Sequence, residues 1–506
     1  MSYVRPRGEI TTVLDRADRD AQDSFLFPLN TDDSWFSRNS ELETVYPSVT
    51  CIQEYPVRGT ADWGGFFTFE LDSVNTGDLL RSVVLQIKLG HWYNNNILAA
   101  LATRQITSIS GVDDTWTYVE GLGTSILEYA ELVAGDVTVE RVTGEFHRVF
   151  SSLFPDINTI IGVANDAMGT APFTEVADNN GAFLPTRPWV TEGGVLHCPL
   201  PFFFLRTRLR ESFPLLACRE GSVRINVKLR PFHEVVRRSA GYRENCTDTP
   251  LGAELIGLPN DVVINTSVGV PPFRDFRLLT LTAMLDGSLR SKFLRSPFEQ
   301  MYRNVQTFYF DEPMKYAVSK QNSSSDYVDI QLALELNHPV EELIWVFRRK
   351  AVIMNNEWSN FRPYVETQFR MRADGSRPIY RDWLESATIR ANGVVVNSAE
   401  GEWYRRNVAE AHRGGWVAWS QYVYGYSFSR DLDSYQPNGW INTSRANSIT
   451  LNMRVNTPVA IPANGGGSAI ENYNQNVSQG WEVFVFAIGM NWMRFQNGMC
   501  NRMFED

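Results

Sequence analysis

The chain has 506 residues, 43% hydrophobic and 21% charged, which is the composition of a folded globular protein rather than a disordered or fibrous one. Its net charge of −11 argues against a broad nucleic-acid-binding surface, because phosphate binding needs an excess of Lys and Arg on one face. Aromatic residues make up 12% of the chain, and with 24 Pro and 35 Gly this favours short strands joined by turns over long helices.

The cysteines are odd in number and widely spaced, so they form neither a disulfide framework nor a CxxC metal pair. We expect reduced, mostly buried thiols. Residues 1–20 lack the apolar core of a signal peptide, and no run approaches transmembrane length, so the protein is expected to be made and kept in the cytosol. The cysteines are Cys51, Cys198, Cys218, Cys246 and Cys500.

Residues 1–22 mix positive and negative charges and predict a solvated N-terminal arm. Alternation of apolar and polar residues at 85–89 and 223–230 predicts strands with one buried face. Polar or Gly/Pro-rich stretches at about 94–124, 151–195 and 233–271 predict long loop insertions. The predicted strands of the first half are 48–55, 65–71, 85–89, a pair within 127–150, 199–205, 223–230 and 276–285.

A short basic helix is predicted at Leu289–Arg295, with Asp286 or Ser288 as its cap. Residues 286–296 are therefore the predicted linker between a first domain at 23–285 and a second domain at 297–506. The predicted strands of the second half are 304–310, 327–336, 343–347, 387–396, 424–428, 449–455 and 481–490, with a loop at 351–382.

Two segments repeat one pattern at a distance of 257 residues. In each, a strand, a turn containing Gly and a second strand lead into Gly-Glu, an aromatic residue and an Arg, at Gly144–Arg148 and at Gly401–Arg405. The alternating strand at 224–230 also has a counterpart at 448–455. Two matches in the same order predict two copies of one β domain, the first enlarged by insertions.

Short strands joined by long cross-connections are typical of a β-sandwich, and each half of this chain holds seven or eight predicted strands. We therefore predict an all-β fold of two consecutive eight-stranded jelly-roll β-sandwich domains with long loop insertions, which is a double jelly roll.

The stretch Tyr424–Arg454 carries the most specific motif. An aromatic strand leads into a Gln-Pro-Asn-Gly turn, in which Pro sets one backbone angle and Asn-Gly tolerate positive φ. An Asn-x-Ser-Arg motif and a second alternating strand follow. This order resembles the signature of the major capsid proteins of nucleocytoplasmic large DNA viruses. The residues that carry the resemblance are Gln436, Pro437, Asn438, Gly439, Asn442, Ser444 and Arg445.

Further segments are similar to the same family in the same order along the chain. One of them begins with Asn337, His338 and Pro339, a recognisable feature of the family. The chain departs from the family at Thr443, where Phe is more frequent, and matches poorly at 233–271. The similar segments are 72–80, 127–150, 199–230, 337–346 and 481–499.

The resemblance implies a homotrimer that forms pseudo-hexagonal capsomers and tiles the icosahedral shell of a large double-stranded DNA virus. The expected partners are neighbouring capsomers, minor capsid proteins and, through inner partners, an internal membrane. Direct nucleic-acid binding is not expected. The expected location is the virion capsid, made and assembled in the host cytoplasm. A minor capsid protein or scaffold of the same fold stays open as an alternative.

The sequence contains no HExxH, GxSxG, GxxxxGK or GxGxxG motif, and its six histidines are scattered. Adjacent acids such as Glu341 and Glu342 point to opposite faces of a strand and cannot cooperate there. We therefore expect no enzyme activity, no catalytic residue, no cofactor and no metal. Distant carboxylates can still meet in a sandwich cleft, so a carbohydrate-binding or carbohydrate-active β-sandwich is the alternative from another class.

Five Asn-x-Ser/Thr sequons occur, and without a signal peptide their chance occurrence is the default interpretation. Because related capsid proteins are sometimes glycosylated, three of them are kept as candidate glycosylation sites, namely Asn322, Asn442 and Asn476. The other two sequons are Asn245 and Asn265.

Overall fold

The computed structural model describes most of the two halves of the chain, and residues Pro47–Asp506 belong to one compact unit. The predicted N-terminal arm, 1–22, lies outside the described residues. The described residues are 48–59, 62–89, 114–119, 121–153, 174–177, 183–186, 195–206, 212–240, 255–257, 273–311, 317–319, 327–349, 356, 358, 361, 382–412, 422–432, 437–446, 448–456 and 481–503.

Strands dominate the described part of the first half. In chain order its elements are β1 (Ser48–Glu54), β2 (Phe66–Leu71), β3 (Leu79–Lys88), β4 (Asp114–Tyr118), α1 (Leu122–Ser125), β5 (Leu127–Ala134), β6 (Val137–Thr143), α2 (Gly144–Leu153), β7 (Thr174–Ala177), β8 (Phe183–Thr186), β9 (Val195–Pro199), α3 (Phe203–Arg206), β10 (Phe213–Pro214), β11 (Val223–Leu229), β12 (Val236–Ala240), β13 (Leu255–Gly257) and β14 (Asp275–Met284).

The second half repeats this composition after one short helix. Its elements are α4 (Gly287–Arg295), β15 (Phe298–Asp311), β16 (Ala317–Ser319), β17 (Tyr327–Leu334), β18 (Pro339–Arg349), β19 (Leu384–Ala391), β20 (Val394–Glu400), α5 (Gly401–Ala411), β21 (Val423–Ser427), β22 (Ile441–Asn442), β23 (Ile449–Asn456), β24 (Trp481–Gln496) and β25 (Met499–Arg502). Short 3-10 turns lie at Leu215–Ala217 and Phe232–Glu234 in the first half and at Thr443–Arg445 in the second.

Each half forms a sandwich of two antiparallel sheets. In the first, the strand order β1-β14-β3-β10, with β9 also on β3, faces the order β2-β11-β5-β6. In the second, β15-β24-β18-β21, with β22 also on β18 and β25 on β24, faces β16-β17-β23-β19-β20. The strands β1-β14-β3 correspond to β15-β24-β18, and β2-β11-β5-β6 correspond to β17-β23-β19-β20. On β3, β9 and β10 take the places that β21 and β22 take on β18. The two halves are therefore two copies of one topology, and the predicted double jelly roll is confirmed.

The two central strands that the alternation predicts carry the cores. Val223, Ile225 and Val227 are buried on β11, and Leu451 and Met453 are buried on β23. The alternation works because successive strand residues point to opposite faces, so one apolar set fills the core while polar residues face outward.

Parts of two predicted strand segments are helical in the structure, although the pair predicted within 127–150 is present as β5 and β6. The segment after Thr143 is α2 because its apolar residues recur at helical spacing, as at Phe146, Val149 and Phe150, and the Thr143 hydroxyl accepts the Phe146 amide at 3.3 Å. The apolar run 199–205 is strand only to Pro199 and continues as α3. Its prolines lack amide donors for a ladder, and its apolar content alone does not distinguish strand from helix.

Parts of two predicted insertions pair with each other. Strand β12, from the third insertion, lies between β13 and β4, and β4 comes from the first insertion. In the second insertion, β7 and β8 form a hairpin. The predicted domain division at 286–296 coincides with α4 and stays a prediction.

Gly144 and Gly401 occupy the same place in the two copies, the first residue of α2 and of α5. A Cβ on Gly144 would lie 2.1 Å from the Leu127 carbonyl oxygen, and one on Gly401 would lie 2.0 Å from the Leu384 carbonyl oxygen. Only Gly allows the backbone to approach this closely. Leu127 and Leu384 each begin the first strand of the preceding hairpin, so the same contact closes the same turn twice.

We expect Gly401→Ala to lower the free energy of unfolding by about 1–3 kcal/mol, because the added methyl meets backbone that cannot rotate away. Urea unfolding of the purified protein measures the change. Gly287→Ala is the matched control, since it also begins a helix and a Cβ there meets nothing within 4 Å. Equal losses in the two variants would contradict this account of Gly401.

Candidate functional site

Two motifs of the second half meet at one corner of the second sandwich, although 105 residues separate His338 from Thr443. The His338 amide donates to Ser444 Oγ at 2.9 Å. The Thr443 amide and hydroxyl donate to the His338 carbonyl at 3.2 and 2.6 Å. Beside them Pro339 pairs with Asn442 where β22 joins β18. The two motifs singled out in the sequence are thus in direct contact, through hydrogen bonds and strand pairing.

The Gln306 side chain closes this corner from β15. Its Nε2 donates to the Asn337 carbonyl at 2.6 Å, and its Oε1 accepts the Asn337 amide at 3.0 Å. His338, in the left-handed region at φ 68°, then turns the chain into β18. His338 and Thr443 are buried, whereas the side chains of Asn442, Ser444 and Arg445 are exposed.

The Pro437–Gly439 segment closes the loop that leaves β21. Asn438 Oδ1 accepts the Ser429 hydroxyl at 2.5 Å and the Asp431 amide at 3.1 Å. A Cβ on Gly439 would lie 2.5 Å from the Phe428 carbonyl oxygen, so this position requires Gly. Gln436 lies outside the described residues. The flanking strands β21 and β22 both pair with β18, so the segment belongs to a loop that connects two strands of the same sheet.

The first sandwich has the same corner, built from Asp78–Leu79 and Phe213–Ala217. Pro214 pairs with Leu79, and the Leu216 amide donates to the Asp78 carbonyl at 3.1 Å. The buried Asp78 carboxylate also accepts the Leu285 amide at 2.8 Å. The four family-like segments therefore form two equivalent corners.

One contact between the halves covers the β6–α2 face of the first sandwich. Phe146 of α2 packs on Phe486 of β24, with ring centroids 5.3 Å apart. The Tyr302 hydroxyl of β15 donates to the Val139 carbonyl of β6 at 3.2 Å. The first core therefore continues into the outer face of the second sandwich, whose apolar members include Val305, Ile344, Val346, Phe484, Phe486 and Ile488.

Arg348 binds the two halves together through buried charges. It donates to Glu145 of the first half at 2.9 Å and to Glu482 of its own sandwich at 2.5 Å. Arg230 also donates to Glu145, at 3.1 Å. Burial alone would raise the pKa of Glu145, but Arg348 and Arg230 outweigh it and lower that pKa. The Trp358 ring lies over Arg230, with its centroid 3.7 Å from the guanidinium carbon.

A second buried pair joins Glu140 of β6 to Arg206 of α3. Arg206 donates to Glu140 at 2.6 Å and to the Arg303 carbonyl of β15 at 2.5 Å, and the Phe203 amide donates to the same carboxylate at 2.8 Å. Burial raises the pKa of Glu140, and Arg206 only partly offsets this rise.

On the second copy the equivalent face is open to solvent. Val396 of β20 stands where β6 has Val139, and Trp403 of α5 stands where α2 has Phe146. Val139 and Phe146 are 1% and 0% exposed, whereas Val396 and Trp403 are 38% and 40% exposed. Val394, on the same strand, is 68% exposed. An apolar face that is covered in one copy is therefore uncovered in the other.

No group of three His, Cys, Asp or Glu side chains suited to a metal occurs among the described residues. Glu341 accepts from Arg303 at 2.6 Å and Glu342 contacts His412 at 2.7 Å, so the two acids have different partners. Within the same residues, no helix is long and apolar enough to cross a bilayer.

Of the sequon asparagines, Asn442 is exposed on β22. The other four lie outside the described residues: Asn245, Asn265, Asn322 and Asn476.

The sequence patterns did not predict the buried charges at the junction. One signal was present: Arg206 and Arg348 each directly follow a continuous apolar run, where a charged residue must be paired if it is buried. Their partners Glu140 and Glu145 lie far away in sequence, so only the fold brings the pairs together.

Two family models match the chain over most of its length. The model described as large eukaryotic DNA virus major capsid protein matches residues 295–501. The model described as major capsid protein N-terminus matches residues 52–251. The chain is also 22% identical, over 469 residues, to the major capsid protein of Lymphocystis disease virus 1 (isolate Darai), which covers 92% of this chain and 89% of that protein.

Solved structures show the same fold. The PBCV-1 virus capsid chain is 16% identical, with 92% of this chain and 98% of that chain covered and a TM-score of 0.63. The Faustovirus major capsid protein is 10% identical, with 97% of each chain covered and a TM-score of 0.60. With both halves matched by models of one protein type and the whole fold shared, the chain belongs to the major capsid protein family of the nucleocytoplasmic large DNA viruses.

Proposed function

We propose that three copies of this chain assemble head to tail into a ring of six jelly rolls, and that these capsomers tile the icosahedral shell of a large DNA virus. The observation that carries the proposal is the pair of equivalent faces. The β6–α2 face is covered within the chain, and the matching β20–α5 face, with Val396 and Trp403, is open.

The contact within the chain supplies the geometry for the contact between chains. The β6–α2 face packs against the outer face of the sheet that contains β24, where Phe484, Phe486 and Ile488 are buried. In the first sandwich β14 takes the place of β24. Its outward residues at the matching positions include Leu279 and Leu281, and both are half-buried apolar side chains. We propose that this face receives the β20–α5 face of the next copy.

Such a contact is heterologous, because two different faces meet. A heterologous contact repeated by one rotation makes a closed ring when the rotation divides a full turn, and an open fibre otherwise. Three chains with two similar sandwiches each give six similar subunits in the ring, which suits hexagonal packing. Membership of the major capsid protein family supports a ring that closes with three chains.

The role that we propose is assembly without catalysis. The buried charges at Arg348 and Arg206 hold the two sandwiches as one block, and a rigid block is what a repeating shell requires. We further propose that the arm at 1–22 contacts minor capsid proteins above an internal membrane, and that assembly takes place in the host cytoplasm. The net charge of −11 fits a shell that does not bind the genome directly.

The purified chain is expected to have the mass of three copies by light scattering coupled to size-exclusion chromatography. Val396→Asp is expected to give monomers, because it places a charge in the centre of an apolar contact. A wild-type chain that stays a monodisperse monomer at micromolar concentration would overturn the proposal.

Val74→Asp is the matched control. Val74 is also an exposed valine, 79% accessible, but it lies in the turn before β3 and belongs to neither β20, α5 nor β14. This variant is expected to stay trimeric, and the thermal unfolding of both variants should show that each is folded. A trimeric Val396→Asp protein would place the contact elsewhere.

Arg348→Met is expected to destabilise the chain by about 3–5 kcal/mol, because it leaves Glu145 and Glu482 buried without their shared cation. Urea unfolding of the monomeric Val396→Asp background measures this without the contribution of assembly. Arg406→Met is the control: its pair with Glu402 is exposed, so we expect no measurable change. A loss no greater than that of the control would show that the buried pairing is unimportant.

A further inference from the structure

Two free thiols from opposite halves of the chain meet in one core. Cys218 directly follows the 3-10 turn of the first corner, and Cys500 lies on β25 at the end of the second sandwich. Both are free cysteines, 8% and 5% exposed. Their side chains lie within hydrogen-bond reach of each other.

The backbone on both sides of this pair is fixed. The Glu220 amide, two residues after Cys218, donates to the Gly498 carbonyl at 3.0 Å, two residues before Cys500. Phe213 packs edge-to-face on Phe495, with ring centroids 5.9 Å apart. The two sulfurs therefore meet because the β24–β25 hairpin is docked on the first sandwich, and not through flexible side chains.

We propose that Cys218 and Cys500 form a disulfide under oxidising conditions, and that this bond staples the C-terminal hairpin of the second sandwich to the first. The oxidant is a small disulfide of the glutathione type. One cysteine loses its proton and attacks it, which releases one small thiol and leaves a mixed disulfide. The second cysteine loses its proton and attacks the mixed disulfide, which releases the second thiol. The two protons end on the released thiols.

The surroundings make this closure slow. The pKa of the Cys218 thiol is raised by its hydrogen bond to Cys500 and by burial. The reactive thiolate is therefore scarce in the folded chain. The thiols therefore stay reduced in a reducing cytosol and close after prolonged exposure to an oxidising exterior. The closed loop spans parts of both sandwiches, so the bond restrains the unfolding of each. The inference concerns a single chain and does not depend on trimer formation.

The experiment compares the full chain kept in dithiothreitol with the chain incubated in oxidised glutathione, each then alkylated under denaturing conditions. Peptide mass mapping of the oxidised sample is expected to show a Cys218–Cys500 linked peptide that reduction releases. The oxidised chain is also expected to melt about 3–6 °C higher than the reduced chain.

Cys218→Ser and Cys500→Ser are each expected to abolish both the linked peptide and the oxidation-dependent rise in melting temperature. Cys198→Ser, at another free and buried cysteine, is expected to retain both. Full alkylation of Cys218 and Cys500 after oxidation of the wild-type chain would overturn the proposal. A linked peptide that joins either of them to another cysteine would do the same.

Discussion

The packing of the β24 sheet against the first sandwich is the contact on which the rest of the molecule depends. Along β24, Val483 and Val485 fill the second core, while Phe484 and Phe486 fill the first. One strand thus serves two cores because its two faces are both buried. At this junction each sandwich needs the other to bury its apolar side chains, so the two copies pack as one block.

Buried charges accompany the apolar packing at this junction, and Arg348 pairs with Glu145 across the two halves. Desolvation of an ion in a protein interior is expensive, so buried pairs persist only with full pairing. The opposite pKa shifts of Glu145 and Glu140 follow from this balance. Two guanidinium groups, from Arg348 and Arg230, outweigh burial at Glu145, whereas Arg206 alone does not outweigh it at Glu140.

Much of the fold follows from the sequence. Alternation of apolar and polar residues indicates which face of a strand is buried, and the repeated segments indicate two copies of one domain. The strands around Ile225 and Leu451 and the repeated hairpins are cases of this kind. The sequence patterns wrongly predict strand for the segment that forms α2 and for the end of the run 199–205, because short apolar runs do not distinguish strand from helix without their tertiary partners. The meeting of His338 with Ser444 was not predictable for a related reason: each motif was visible, but their contact is non-local.

The divergence of the two copies fits their different surroundings. In the first, the β6–α2 face is buried as the chain folds, and it contains a carboxylate, Glu140, whose partner Arg206 lies in the same chain. In the second, Asn397 stands at the position of Glu140 and accepts the Tyr404 hydroxyl at 2.6 Å. In the proposed assembly this face is first solvated and then buried by another copy. A neutral amide suits that sequence of events, because it needs no cation from the partner to offset its desolvation. The valines and Trp403 beside it have the apolar character that the first copy uses in its contact with the β24 sheet.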